Sequence, residues 1–238
     1  MIEKNLTATK LSITRRGLLL GAAACAATAL SARHLMAQPV GAVPLESYQR
    51  SFFNAEEWAF VMAATSRIIP SEGKGPGALE TRVPVFIDKQ LASPWGQGDH
   101  WYMQAPFDRD APRYTGYQAA PSPAEAYRIA IPKINEWCKD RYGAIFAELP
   151  ADKQDEALTC VEKDEVAIEQ LRSGDFFTFL LQNTKEGYFA DPLYGGNYDM
   201  AAWVYIGFPG ARGSFLEWVE KDNVPYKLGP VSLSGERA

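Results

Sequence analysis

The side chains able to do chemistry are few and widely spaced. His100 is the sole histidine after residue 37, so a histidine-ligated metal or a serine–histidine couple would have to use it. It stands in "WGQGDHWYMQAPF", a run of turn residues that reads as loop. Asp191 and Asp199 flank "PLYGGNY", and two carboxylates can share acid–base work. No histidine, arginine cluster or metal-ligand spacing accompanies them. "KDEVAIEQ" adds Asp164, Glu165 and Glu169, on what reads as a helix with a solvated face. Cys138 and Cys160 lie 22 positions apart on two expected helices. In an oxidising compartment they form a possible disulfide, but two buried thiols or a bridge to another chain fit the sequence equally. No CxxC or CxxCH occurs, so the chain encodes neither covalent haem nor a zinc knuckle. "SEGKGPG" lacks the GK[ST] ending of a phosphate loop, and "YGGN" is not a dinucleotide fingerprint. No flavin, nicotinamide or iron–sulfur pattern appears, so the expectation is no catalytic, cofactor or metal residue in this chain.

The elements that would position these groups are mostly helical. Asn54 and Glu57 have the spacing of a capping box, and the apolar period of "NAEEWAFVMAATSRIIP" continues to Pro70. "VPVFIDKQLA" (83–92) reads as a second helix with Pro84 in its first turn. "SPAEAYRIAIPKINEWCKDRYG" (122–143) has Ser122 as cap, Pro123 at the first position, Glu125 closing a capping box and Gly143 as stop, with Pro132 expected to kink it. Residues 149–165 and 175–187 read as two further helices, the second apolar almost all round. Short helices are expected over 199–207 and 214–221. Residues 38–53 read as an extended linker. Residues 93–123 have no period but carry six aromatics from Trp95 to Tyr117, which argues against disorder. The fold class is therefore mainly α: a small helical domain with long aromatic and Gly-rich irregular loops.

The first 37 residues read as an export signal rather than as fold. Paired Arg15 and Arg16 in "TRRGLLL" precede an Ala-rich core of 16 residues, short for a membrane span. Paired arginines before a weakly apolar core are the signature of twin-arginine export, which carries proteins already folded. Residues 38–238 would form the mature domain. Losing five cations and one anion moves the net charge from −5 to −9. That balance, with no basic cluster, argues against nucleic acid as a partner.

The densest stretch, "EGYFADPLYGGNYDMAAWVYIGFPGAR" (186–212), holds seven aromatics, five glycines and two prolines in 27 residues. Such density suits a small-molecule pocket or a protein interface, since aromatics bury much area at low entropy cost. Its pattern is similar to the gluconate 2-dehydrogenase subunit 3 family, the small subunit of a membrane-bound FAD-dependent dehydrogenase. The matching residues are Thr184, Glu186, Gly187, Asp191, Pro192, Tyr194, Gly195, Gly196 and Asn197, then Trp203, Ile206, Gly207, Pro209 and Gly210. Weaker matches cover the helix from Asn54 to Pro70 and the twin-arginine leader.

The resemblance implies a non-catalytic small subunit. A large partner would carry FAD and oxidise D-gluconate to 2-keto-D-gluconate. A multi-haem cytochrome c partner, bearing haem c, would pass electrons to quinone. The small subunit would aid assembly and export of the flavoprotein, placing the complex in the periplasm and at the inner membrane through its partners. A small subunit for a related polyol or keto-acid dehydrogenase, or a stand-alone periplasmic binding or structural module, are the alternatives. On the main reading the motif residues, together with Tyr188, are expected to form the partner interface or to lock the loop that presents it.

Overall fold

A computed structural model describes residues 43–108, 111–224 and 226–238. The expected export signal, with Arg15 and Arg16, lies outside the described residues. The chain divides at Ser47: the unit before it contributes a 3-10 turn at Leu45–Ser47, and Tyr48–Ala238 form the second unit.

The second unit is built from seven helices: α1 (Ala55–Ile68), α2 (Val83–Leu91), α3 (Pro94–Gln97), α4 (Pro123–Tyr142), α5 (Ala151–Glu162), α6 (Ser173–Phe189) and α7 (Ala201–Ile206). Among the described residues there are no strands, only isolated bridges at Glu72–Gly75, Gly210–Val231 and Val231–Arg237. The capping boxes read from sequence are present. Asn54 and Glu57 exchange bonds at the start of α1, and Ser122 and Glu125 do so at the start of α4. Each pair satisfies two of the backbone donors that a helix start leaves open. Gly143 ends α4 in the left-handed conformation, and α4 runs through Pro132 uninterrupted.

α6 lies at the centre, packed on α1, α2, α4 and α5. It is not apolar all round. Its buried positions, Phe176, Phe179, Leu180, Asn183, Thr184, Gly187 and Tyr188, recur at helical spacing, while Lys185, Glu186 and Phe189 are exposed. Phe176 joins a buried aromatic cluster: Phe60 and Phe146 are 4.6 Å apart, and Tyr127 meets Phe176 edge-on at 5.1 Å. The Tyr127 hydroxyl accepts from Asn183 Nδ2 at 3.1 Å, so the polar tip of this buried ring is satisfied.

Residues 48–53, expected as linker, are instead pinned to the core by one side chain. Asp88 on α2 is fully buried. It accepts the backbone N–H groups of Ser51, Phe52 and Phe53 at 2.6, 3.0 and 2.9 Å, and the Tyr48 hydroxyl at 3.2 Å. A carboxylate ringed by four donors is the condition under which a buried charge is tolerated. Arg128 adds a second anchor, donating to Glu57 and to the Phe52 carbonyl with its guanidinium 4.0 Å over the Phe52 ring.

Three other segments depart from the sequence expectation. The helix before "KDEVAIEQ" ends at Glu162, and Asp164 has a left-handed backbone at φ 67°. Its carboxylate accepts from Ser173 Oγ and Gly174 N, so it secures the start of α6 and is not part of a solvated helical face. Residues 214–221 form only a 3-10 turn at Leu216–Trp218. Residues 93–122 carry α3 and a 3-10 turn at Arg113–Thr115. Their aromatics plate α6: Trp101 and Tyr117 stand 5.7 and 4.9 Å from Phe179.

Replacing Asp88 by Ala leaves three backbone N–H groups without their acceptor, that of Phe53 buried, so Asp88→Ala is expected to lower the unfolding free energy by about 3 kcal/mol, measured by urea denaturation. Alkaline stability gives a second check. The Tyr48 hydroxyl is pushed up from 10.0 to about 12 by burial and by the Asp88 carboxylate. Burial also raises Tyr117 and Tyr127. An acid raised on folding keeps its stabilisation below its unfolded value and loses it as pH climbs toward the folded one. The urea midpoint should therefore fall from pH 10 toward 12, and fall less in Tyr48→Phe.

Candidate functional site

The motif-rich stretch begins where α6 ends. Gly187 is buried, and a Cβ there would meet the Phe86 ring of α2 at 2.8 Å. Tyr188 is buried and its hydroxyl donates to the Pro76 carbonyl at 2.8 Å, tying the end of α6 to the Gly-rich loop 71–77. Asp191 then caps the 3-10 turn Pro192–Tyr194 through Oδ1, which accepts from Leu193 N at 3.1 Å. Its Oδ2 accepts from Leu233 N at 2.7 Å, so both oxygens of this buried carboxylate are committed to backbone.

The chain turns back across α6 at the two glycines. Gly195 takes φ 96°, and a Cβ on Gly196 would sit 2.1 Å from the Gly187 carbonyl oxygen. No other residue type permits that approach. Asn197, Asp199 and Met200 follow with left-handed backbone at φ 43°, 56° and 53°. Such conformations are costly outside glycine and persist only where neighbours over-determine them. Here the fully buried Asn197 side chain does so: Nδ2 donates to the Ala190 carbonyl and Oδ1 accepts from Ala202 N, each at 2.9 Å. Tyr198 N reaches the Thr81 carbonyl at 3.1 Å.

α7 is fastened by Trp203, which is buried and donates Nε1–H to the Phe189 carbonyl at 2.9 Å. Gly207 ends α7 at φ 73°. Pro209 and Gly210 then meet the C-terminal segment. Val231 N donates to the Pro209 carbonyl, and a Cβ on Gly210 would lie 2.2 Å from the Val231 oxygen. Thus Gly187, Tyr188, Asp191, Gly196, Asn197 and Trp203 face inward. Glu186 stays exposed on α6, bonded to Gln182, while Pro192 is half-buried and Tyr194 is 49 % exposed.

The chemistry candidates do not converge. Asp191 faces Leu193 and Leu233, whereas Asp199 lines an open groove of about 660 Å³ with Lys74, Gly75 and Tyr205. His100 is exposed beside the turn at Gly98–Trp101. Among the described residues no group of three or more His, Cys, Asp or Glu could hold a metal ion, and no helix is long and apolar enough to cross a membrane. Cys138 and Cys160 are free thiols, both buried, on α4 and α5. Burial, with Cys160 adding to it, pushes the Cys138 thiol up to about 12, far from the range of a reactive thiolate.

Sequence reasoning singled out Tyr194 and Ile206 on the outer side of this stretch but not their exposed neighbours. Val204, Tyr205 and Ile206 are 55 %, 57 % and 53 % exposed, and Leu193 and Phe208 are exposed too. Val204 lines the first groove and also a second one, of about 220 Å³, with Phe208, Tyr226, Lys227 and Leu228. The signal was available: "AAWVYI" is apolar throughout, and one face of a six-residue helix can turn inward.

A family model described as gluconate 2-dehydrogenase subunit 3 matches residues 55–210, and the chain belongs to that family. No curated protein and no solved structure matches it.

The geometry separates two kinds of motif position. Gly196→Ala drives a methyl into a backbone carbonyl and is expected to cost about 3–5 kcal/mol. Tyr194→Ala, at an exposed ring, should stay within about 0.5 kcal/mol of wild type. Urea denaturation of both variants checks the contrast.

Proposed function

We propose that this member of the gluconate 2-dehydrogenase subunit 3 family is the non-catalytic small subunit of a periplasmic, membrane-associated, FAD-dependent gluconate 2-dehydrogenase. Its partners are a large subunit that carries FAD and converts D-gluconate to 2-keto-D-gluconate, and a multi-haem cytochrome c that takes the electrons. Its task is assembly and twin-arginine export of the flavoprotein, directed by Arg15 and Arg16. Family membership supports a subunit of a gluconate 2-dehydrogenase complex and leads one to expect other subunits.

The observation that carries the reading is how the motif polar groups are used. Asp191 and Asn197 have their side-chain oxygens and nitrogen engaged by backbone, and Trp203 and Tyr188 donate to backbone carbonyls. Groups held this way shape a loop and offer no free acid, base or ligand to a substrate. The same stretch turns an apolar surface outward, which suits a protein partner.

Two measurements test the proposal. The tagged chain, expressed with its neighbouring genes, should co-purify with a flavoprotein and with gluconate:dye oxidoreductase activity. Gluconate oxidation by the isolated chain with added FAD would overturn it. Replacing Arg15 and Arg16 by Lys should leave the flavoprotein in the cytoplasmic fraction, and unchanged export of that subunit would remove the export role.

A further inference from the structure

We infer that the outward face of α7, with the exposed side chains leading into and out of it, is the surface on which the large flavoprotein subunit docks. This rests on the reading of the chain as a small subunit and adds where on it the partner sits.

The first observation is area. Eight apolar side chains between Phe189 and Phe208 are exposed by roughly 40–60 %. At about 100 Å² apiece for half-exposed large side chains, they present roughly 800 Å², the share one partner gives to a stable interface. All eight lie within the 55–210 span matched by the family.

The second observation is shape. Val204 lines both open grooves and so forms a ridge between them, with Tyr205 on the wall of the first and Ile206 exposed beside it. The ridge is rigid, because Asn197 bonds Ala202 N at its start and Trp203 bonds Phe189 O through its body. A preorganised ridge gives up little entropy on binding.

The third is charge. Lys74 and Asp199 line one trough and Lys227 lines the other. The matching partner surface is an apolar recess with carboxylates reaching the two lysines. A second copy of this chain is the rival occupant, because a two-fold contact can seat each ridge in the other's trough, and the test separates it from the flavoprotein. An anionic lipid surface is opposed by Asp199 within the trough, and a protein rim can answer both signs.

The test uses the tagged full chain co-expressed with its neighbouring genes, reading flavin absorbance per tagged chain after capture. Val204→Glu with Ile206→Glu changes two exposed positions and is expected to lower captured flavin at least tenfold. Leu216→Glu with Val219→Glu, exposed but beyond residue 210, should leave it unchanged. Lys74→Glu with Lys227→Glu, which leaves the ridge intact, should lower it about fivefold, and this pair decides the matter if the ridge variant does not fold by circular dichroism. Wild-type capture with undiminished capture by the ridge variant, or by the lysine variant where that decides, overturns the inference alone. A wild-type dimer in gel filtration that the ridge variant abolishes, with flavin capture retained, assigns the face to a second copy and overturns it. No flavoprotein with the wild type overturns the small-subunit reading and this inference with it.

Discussion

The structure depends on one close approach. At Gly187 the central helix is bare on both sides that matter: its missing side chain admits the Phe86 ring, and its carbonyl oxygen lies against Gly196. The first contact fixes α2 on α6. The second fixes where the chain re-crosses α6 after the turn at Pro192–Tyr194. Everything C-terminal inherits its position from that crossing, through Asn197 to α7 and through Asp191 to the segment around Leu233. A methyl at either glycine would push apart backbone or a packed aromatic, neither of which can swing away as a flexible side chain can.

Irregular segments in this fold are held by polar side chains standing in for secondary structure. Asp88 gathers the N–H groups of 51–53, Asp164 those at the start of α6, Asp191 those of Leu193 and Leu233, and Asn197 bridges Ala190 and Ala202. Each answers the same need. A loop drawn against the core cannot leave its backbone donors unpaired. With no sheet to absorb them, acceptors on side chains do so, and a carboxylate or amide reaches two or more donors at once.

Sequence made the helices legible because their signals are local. Asn54 with Glu57, and Ser122 with Glu125, sit three residues apart and exchange the bonds that spacing implies. The anchors were not legible, because their partners are distant. Asp88 meets residues about 36 positions away, and Asp191 meets one 42 away. An aspartate in "VPVFIDKQL" was a hint, since it directly follows the apolar run from Val83 to Ile87, every position of which buries. Residues 163–170 failed for the opposite reason: charge and period fit a helix, but Asp164 ends it in a left-handed turn. At the site, the motif identified the stretch, while facing depended on the crossing at Gly196, which no local period records.

The inward and outward sides of 186–210 divide the labour between fold and recognition. A six-residue helix has almost no stability of its own, and α7 persists because Asn197 and Trp203 tie it to the end of α6. Of its outer side chains, Tyr205 lies against Gly75, while Val204 and Ile206 stay more than half exposed to water. A soluble protein gains by replacing such residues with polar ones unless another surface covers them. The same stretch that sacrifices three left-handed backbones at 197, 199 and 200 to fix the ridge thus also keeps that ridge apolar. On the proposed reading of the ridge as an interface the two features fit together: the strained turn sets its angle, and the exposed side chains supply its affinity.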